Sequence, residues 1–151
     1  LNALLDGQLA CISVTLLDGL VLARSGFNHS VNYRSVTVFG RAEQVTGEAK
    51  LRLLDRMVDH IVPGRSLGIR ESTQQELNAT LMVKIPIDEA VAKVRKGPPL
   101  DAEKDYETDI WAGTVAIETV PGQIQRCPRL SEMVPIPEHV LAFVRQTHDS
   151  D

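Results

Sequence analysis

Residues 9–45 read LACISVTLLDGLVLARSGFNHSVNYRSVTVFGRAEQV, and the fold turns on how this stretch is divided. Two runs of aliphatic and β-branched residues, 9–17 and 20–25, flank Asp18-Gly19. That dipeptide tolerates the positive φ angles of a type I′ turn, so a tight hairpin is expected. A polar loop with Asn28, His29 and Ser30 follows. Residues 33–45 then favour extended chain through Val36, Val38, Phe39 and Val45, with Gly40 at a bend or bulge.

Downstream the period changes. Leu51, Leu54, Met57 or Val58, and Ile61 recur at three- and four-residue spacing, which predicts an amphipathic helix over 48–62. Pro63-Gly64 stops it, because proline lacks an amide donor and disfavours a helical residue before it. Thr73-Gln74-Gln75-Glu76 fits a capping box and predicts a short helix. Residues 79–85 return to strand composition, Asp88 is placed to cap a brief helical turn, and 110–120, with Val115, Ile117 and Thr119 alternating, reads as the last strand. Pro128, Pro135 and Pro137 predict an irregular arm that ends in a short helix over 138–145. Hairpin-linked strands, a helix and more strands do not suit a doubly wound parallel sheet. The expected class is mainly β: a small antiparallel, Greek-key-like barrel, closed or split, with helices packed on it.

The chain has 151 residues, 43% hydrophobic and 24% charged, the balance of a globular domain with a core. Sixteen Lys+Arg against twenty Asp+Glu give a net charge of -4 without a basic stripe, which argues against nucleic acid. The longest apolar run, 9–17, is broken by Ser13 and Thr15 and falls short of the ~20 residues of a membrane helix. Cys11 and Cys127 do not form the pattern of a secreted disulfide scaffold, so a cytoplasmic setting is expected. His60, His139 and His148 show no metal-ligand spacing with each other or with the cysteines, and no metal is expected. Neither a dinucleotide fingerprint nor a P-loop is present. His29-Ser30 lacks the glycine-flanked elbow of a nucleophile. The acidic stretch 101–109 lacks the central glycine and terminal glutamate of a calcium loop and is expected to be solvated. Leu1 stands inside an element already under way, so a preceding segment is expected.

Four blocks in order, LLDGLVLARSGFNHSVNYRSVTVFGRA (16–42), HIVPGR (60–65), AKVRKGPP (92–99) and IWAG (110–113), resemble one branch of the pyridoxamine 5′-phosphate oxidase-like family, the flavin-nucleotide-binding proteins. The resemblance implies an FMN-binding split β-barrel over 1–120, part of which precedes residue 1, followed by an arm over 121–151. It implies a homodimer with FMN at the subunit interface, and a flavin-dependent oxidoreductase whose substrate and catalytic residues are not legible. The alternative is a non-catalytic flavin- or haem-binding module. Family members commonly carry an HG-type phosphate-binding segment upstream of the position where this sequence starts.

Within that resemblance, Asn32, Tyr33, Arg34 and Ser35 open the strand that passes beside the flavin. Ser35 matches a polar contact to FMN, and Arg34 is placed to grip its phosphate through a bidentate fork. On pattern alone, Arg34 reads rather as an ordinary ion-pair residue and Tyr33 as a core aromatic. Strand alternation puts Tyr33 and Ser35 on one face and Arg34 on the other with Val36 and Val38. Trp111 matches the aromatic that approaches the flavin from the second subunit, or else is buried in the dimer core. Lys93, Arg95 and Lys96 stand near the flavin or form a solvated cluster. Arg65 and Ser66 reach the partner subunit's cofactor. His29 and Ser30 are loop hydrogen-bond donors near the flavin, or simply exposed.

Overall fold

The computed structural model describes residues 2–145. The chain divides into two compact units, Leu1–Glu43 with Lys84–Thr119, and Gln44–Val83 with the residues from Val120 onward. It passes between them through the short strands β3 (Glu43–Gln44) and β4 (Val83–Lys84), which pair with each other. Among the described residues no helix is long and apolar enough to cross a membrane.

The first unit begins with a helical turn, α1 (Asn2–Leu5), and is built on four antiparallel strands, β1 (Leu9–Leu22), β2 (Ser30–Arg41), β5 (Glu89–Arg95) and β6 (Gly113–Ala116), in the order β5-β2-β1-β6. The expected hairpin at Asp18-Gly19 does not form. β1 (Leu9–Leu22) runs straight through the dipeptide and pairs with β2 (Ser30–Arg41) on both sides of it. The register slips once, from Leu17 opposite Tyr33 to Gly19 opposite Asn32, so Asp18 is the extra residue of a β-bulge. Gly19 is required there for close approach: a Cβ on it would lie 2.9 Å from the Val115 carbonyl oxygen of β6 (Gly113–Ala116). The chain reverses later, in a 3-10 turn over Gly26–Asn28.

Residues 89–95, read as following a helical turn at Asp88, form β5 (Glu89–Arg95), whose EAVAKVR sets Ala90, Ala92 and Val94 on one face and Glu89, Val91, Lys93 and Arg95 on the other. The last strand is shorter than expected, and 79–85 contributes only Val83–Lys84. A closed barrel is also corrected: closure needs the terminal strands to pair, and β5 and β6 lie at opposite edges of an open sheet.

Antiparallel partners share a face, so the register defines both surfaces of this sheet. One is aliphatic: Ile12, Val38 and Ala90 form a row, followed by Val14, Val36 and Ala92. Val14 is 59% exposed, and the buried hydrophobic side chains among the described residues are Val21, Ala23 and Val45. The other face is mixed and is described below.

In the second unit, α2 (Gly47–Ile61) follows the expected apolar stripe and ends before Pro63, with Gly64 at φ 79. Thr73 and Glu76 form the expected capping box at α3 (Gln74–Ala79). The arm is turned rather than loose: the Arg126 guanidinium donates to the carbonyls of Ser131, Glu132 and Val134. α4 (Glu138–Arg145) closes it as expected.

Glu76 links this unit to pH. The Arg70 guanidinium, then the Thr73 amide and hydroxyl, hold its carboxyl down at about 2 against an ordinary 4.5. Because the folded value is depressed, its contribution is complete above the unfolded value near 4.5 and is lost as the pH falls through about 2. Thermal melts across that window should show a loss of stability that Glu76→Gln reduces. Superimposable profiles for the two proteins would contradict this.

Candidate functional site

The mixed face carries most of the candidate residues of the first unit. Thr15, Ser35 and Lys93 form one row, and Leu17, Tyr33 and Arg95 the next. Beyond the bulge come Val31, Leu20 and Val115, and then Leu22 beside Gly113. Gly113 has no side chain to occupy that last row, and the Trp111 indole fills it. A Cβ on Gly113 would lie 2.9 Å from Trp111 Cζ2 and 3.0 Å from Cη2. The indole therefore lies on the mixed face, 68% exposed. From this row to that of Ser35 the strip runs roughly 20 Å at ~3.4 Å per residue.

The hydroxyls along the strip are paired across the strands. Thr15 Oγ1 donates to Ser35 Oγ at 3.0 Å, and Ser13 and Thr37 share a hydrogen bond of 3.1 Å. Lys93 stands beside Ser35 without an ion pair among the described residues. Arg95 begins on the same face, but its guanidinium turns to the Val31 carbonyl (3.3 Å) and to Asn32 Oδ1 (3.1 Å). Asn32 in turn donates to the Gly97 carbonyl at 3.1 Å, which holds the turn after Lys96, where Gly97 adopts φ 115. Asn32 and Arg95 are thus tied to each other and to the backbone.

Arg34 lies on the aliphatic face, as alternation requires, and its fork is engaged by the bulge residue. Nε and Nη2 donate to the Asp18 carboxylate at 3.0 and 2.8 Å. Hydrogen bonding from Arg34 is the chief cause that lowers the Asp18 carboxyl, and the carboxylate in turn raises the Arg34 guanidinium. Ser30 is on this face too, opposite Val21. Arg65 and Ser66 belong to the second unit. There, Ser66 donates from its amide and hydroxyl to Asp59, both at 2.8 Å, and lowers that carboxyl.

His29 sits at the end of the turn and is exposed. Its Nδ1 is 2.8 Å from the Ser25 carbonyl oxygen. A carbonyl only accepts, so Nδ1 carries the proton and the neutral ring leaves Nε2 as a bare lone pair. The preceding residue is fixed as well: the Asn28 amide donates to the Ser25 carbonyl (3.2 Å), and its side chain donates to Asp101 (3.3 Å).

Asp101 is the residue that sequence reasoning missed. It stands at the head of the stretch expected to be solvated, yet its side chain has 0% exposure. It accepts from the Arg24 amide and from Arg24 Nη1, both at 3.1 Å, while the Arg24 guanidinium lies 4.8 Å from the Tyr106 ring centre. Burial pushes the Asp101 carboxyl up, and the hydrogen bonds from Arg24 and Asn28 more than reverse this, leaving it below the ordinary range. Arg24 and Asp101 are 77 residues apart, and no local pattern marks either.

The sequence profile described as pyridoxamine 5′-phosphate oxidase matches residues 1–94. Comparison with curated proteins gives no match. Among solved structures, the flavocytochrome Anf3 from Azotobacter vinelandii is similar at 42% identity and a TM-score of 0.82, over 90% of this chain and 64% of that one. The FAD and heme binding protein from Mycobacterium smegmatis is similar at 39% identity and a TM-score of 0.87, over 95% of this chain and 71% of that one. The chain thus spans a little under two thirds of the first relative and somewhat more of the second. A profile match over more than half of the sequence, together with that second relative, places this chain in the pyridoxamine 5′-phosphate oxidase family.

Proposed function

We propose that the chain binds a flavin, FMN by its sequence resemblance, on the mixed face of the four-stranded sheet. It does so as a homodimer that holds the flavin at the subunit interface and acts as a flavin-dependent oxidoreductase. The observation that carries this reading is the order of chemistry along the strip. Trp111 offers a flat aromatic surface; Leu20, Val31 and Val115 an apolar floor; Thr15 and Ser35 hydroxyls; and Lys93 a cation. A flavin nucleotide presents a flat tricycle, a polyol chain and a phosphate in the same order. The flavin would supply electron transfer, while these residues orient it and exclude water. With the Arg34 fork on Asp18, Lys93 is the better phosphate contact on this face.

The aliphatic face has the character of a barrel interior, which supports a split barrel as the complete fold. The exposed aromatic and hydroxyl face is then the one that meets the second subunit. Two free, exposed thiols, Cys11 and Cys127, support a cytoplasmic setting. The test is titration of the purified protein with FMN and with FAD, followed by absorbance and fluorescence, with molar mass read by light scattering. A dimer that takes up one flavin per subunit is expected, tighter for FMN. Tighter uptake of FAD would replace FMN in this reading, and uptake of neither would overturn it.

Haem is a second group that the chain is proposed to bind. The two similar structures are described as a flavocytochrome and as a protein that binds FAD and heme, and the free Nε2 of His29 is a suitable donor atom.

A further inference from the structure

We propose that the second unit binds a small carboxylic acid with an apolar body, in a cavity of about 360 Å³ between the 3-10 turn after α2 (Ser66–Gly68) and the arm. The site lies wholly within that unit and is independent of the flavin reading. Ligand pockets are concave and mostly apolar, with a few placed polar groups that fix orientation, and this cavity has that make-up. Ile124, Leu130, Val134 and Val140 line it, and Leu130 and Val134 are still 43% and 44% exposed. An apolar ligand would take that surface out of water.

The wall is preformed. The Leu130 amide donates to the Cys127 carbonyl at 3.0 Å and the Val134 amide to the Ser131 carbonyl at 3.1 Å. Arg126 fastens the same turns from inside through its bonds to three backbone carbonyls. A site held in this way has little freedom left to lose when a ligand enters, which favours affinity.

Charge decides the class of ligand. No carboxylate lines the cavity, in a chain whose acidic residues outnumber its basic ones by twenty to sixteen. Two arginines do line it. Arg126 Nη2 is occupied by the carbonyls of the arm, whereas the guanidinium of the half-buried Arg65 has no hydrogen bond or ion pair among the described residues. Its Nη1 stands over Gly68, where a Cβ would lie 3.9 Å away. A free planar fork at the edge of an apolar wall matches a carboxylate joined to hydrocarbon.

The other cavities lack this combination. The groove along Leu54 and Met57 carries Asp55 and Glu71, and its Arg70 is taken by Glu76. The one beside Phe39 is lined by Glu43, Asp88 and Glu89. In the one between α2 and α3, Lys50 is held by the carbonyls of Leu77 and Thr80.

Cys127 supplies a readout. It lines the cavity as a free thiol, while Cys11, in the first unit, serves as the internal control. The full chain is titrated with octanoate, with octan-1-ol, which keeps the tail without the carboxylate, and with acetate, which keeps the carboxylate without the tail. Binding is followed by calorimetry, and the rate of iodoacetamide labelling at each cysteine by peptide mass spectrometry. Octanoate should slow labelling of Cys127, leave Cys11 unchanged, and bind tighter than either fragment by about tenfold or more. Arg65→Gln should bind octanoate no better than octan-1-ol, and Arg65→Lys should keep part of the preference. Melting temperatures show whether the variants fold, and the comparison of the three ligands on the unsubstituted protein needs neither variant. No protection of Cys127 by octanoate would overturn the site. Equal affinity for octanoate and octan-1-ol, or for octanoate and acetate, would overturn the ligand class, and a preference unchanged in Arg65→Gln the role of Arg65.

Discussion

Val14→Asp is expected to unfold the first unit, whereas Thr15→Asp, one residue away, should leave it folded and weaken flavin binding. The two side chains lie on opposite faces of β1, Val14 among Val36 and Ala92 and Thr15 beside Ser35 and Lys93. If the aliphatic face is a barrel interior, a carboxylate there lacks any partner, at a cost on the order of several kcal/mol. That is comparable with the whole stability of a typical domain, ~5–15 kcal/mol. Aspartate in place of Thr15 meets solvent, Lys93 and the proposed phosphate. It should raise the flavin dissociation constant by about tenfold or more through like-charge repulsion, with a small change in Tm. Thermal melts and flavin titrations of both variants decide the matter. Equal tolerance in the melts would mean that the aliphatic face is not an interior. Unchanged flavin affinity in Thr15→Asp would move the flavin off the mixed face.

The second large effect is expected at Asp101. Asp101→Ala removes the acceptor shared by the Arg24 amide, the Arg24 guanidinium and the Asn28 side chain, leaving Arg24 enclosed and without its counter-charge. Losing one member of a shielded ion pair is destabilising because the other remains desolvated and unpaired. The melting temperature should fall by more than about 5 °C. Asp101→Asn, which keeps an acceptor but not the charge, should fall less. Hydrogen exchange should rise across 26–29 in both variants, since the turn that presents His29 is tied to this carboxylate. An unchanged Tm in Asp101→Ala would return the segment to the solvated loop that its composition predicts.

What was legible in the sequence was local. α2, the capping box at Thr73 and α4 each depend on residues within a few positions of one another, and each lies where the pattern puts it. Asp18-Gly19 misled because the residues that suit a tight turn also suit a bulge. Which one forms depends on whether a strand such as β6 comes to lie against the glycine. β5 was missed because alanine and charged residues make a weak alternation. Its pairing with β2, at long range, makes it a strand. At the site, alternation separated Tyr33 and Ser35 from Arg34 correctly. The placing of Lys93 beside Ser35 depends on the β2–β5 register, and that of Trp111 on an empty position at Gly113, neither of which is written in any short stretch.

The bulge also governs where the length of β1 can change. Odd-numbered residues from Leu9 to Leu17 lie on the mixed face, and after Asp18 the even-numbered Leu20 and Leu22 do so. Asp18 absorbs the difference. An insertion or deletion elsewhere in the strand would turn everything beyond it through the sheet and exchange the two surfaces. Loss of Asp18 alone restores the plain alternation and keeps every other residue on its present side. What that loss would alter is charge: the Arg34 guanidinium would be released from its carboxylate. Asp18 is thus a position at which this strand can lose a residue and change its electrostatics while keeping both faces of the sheet.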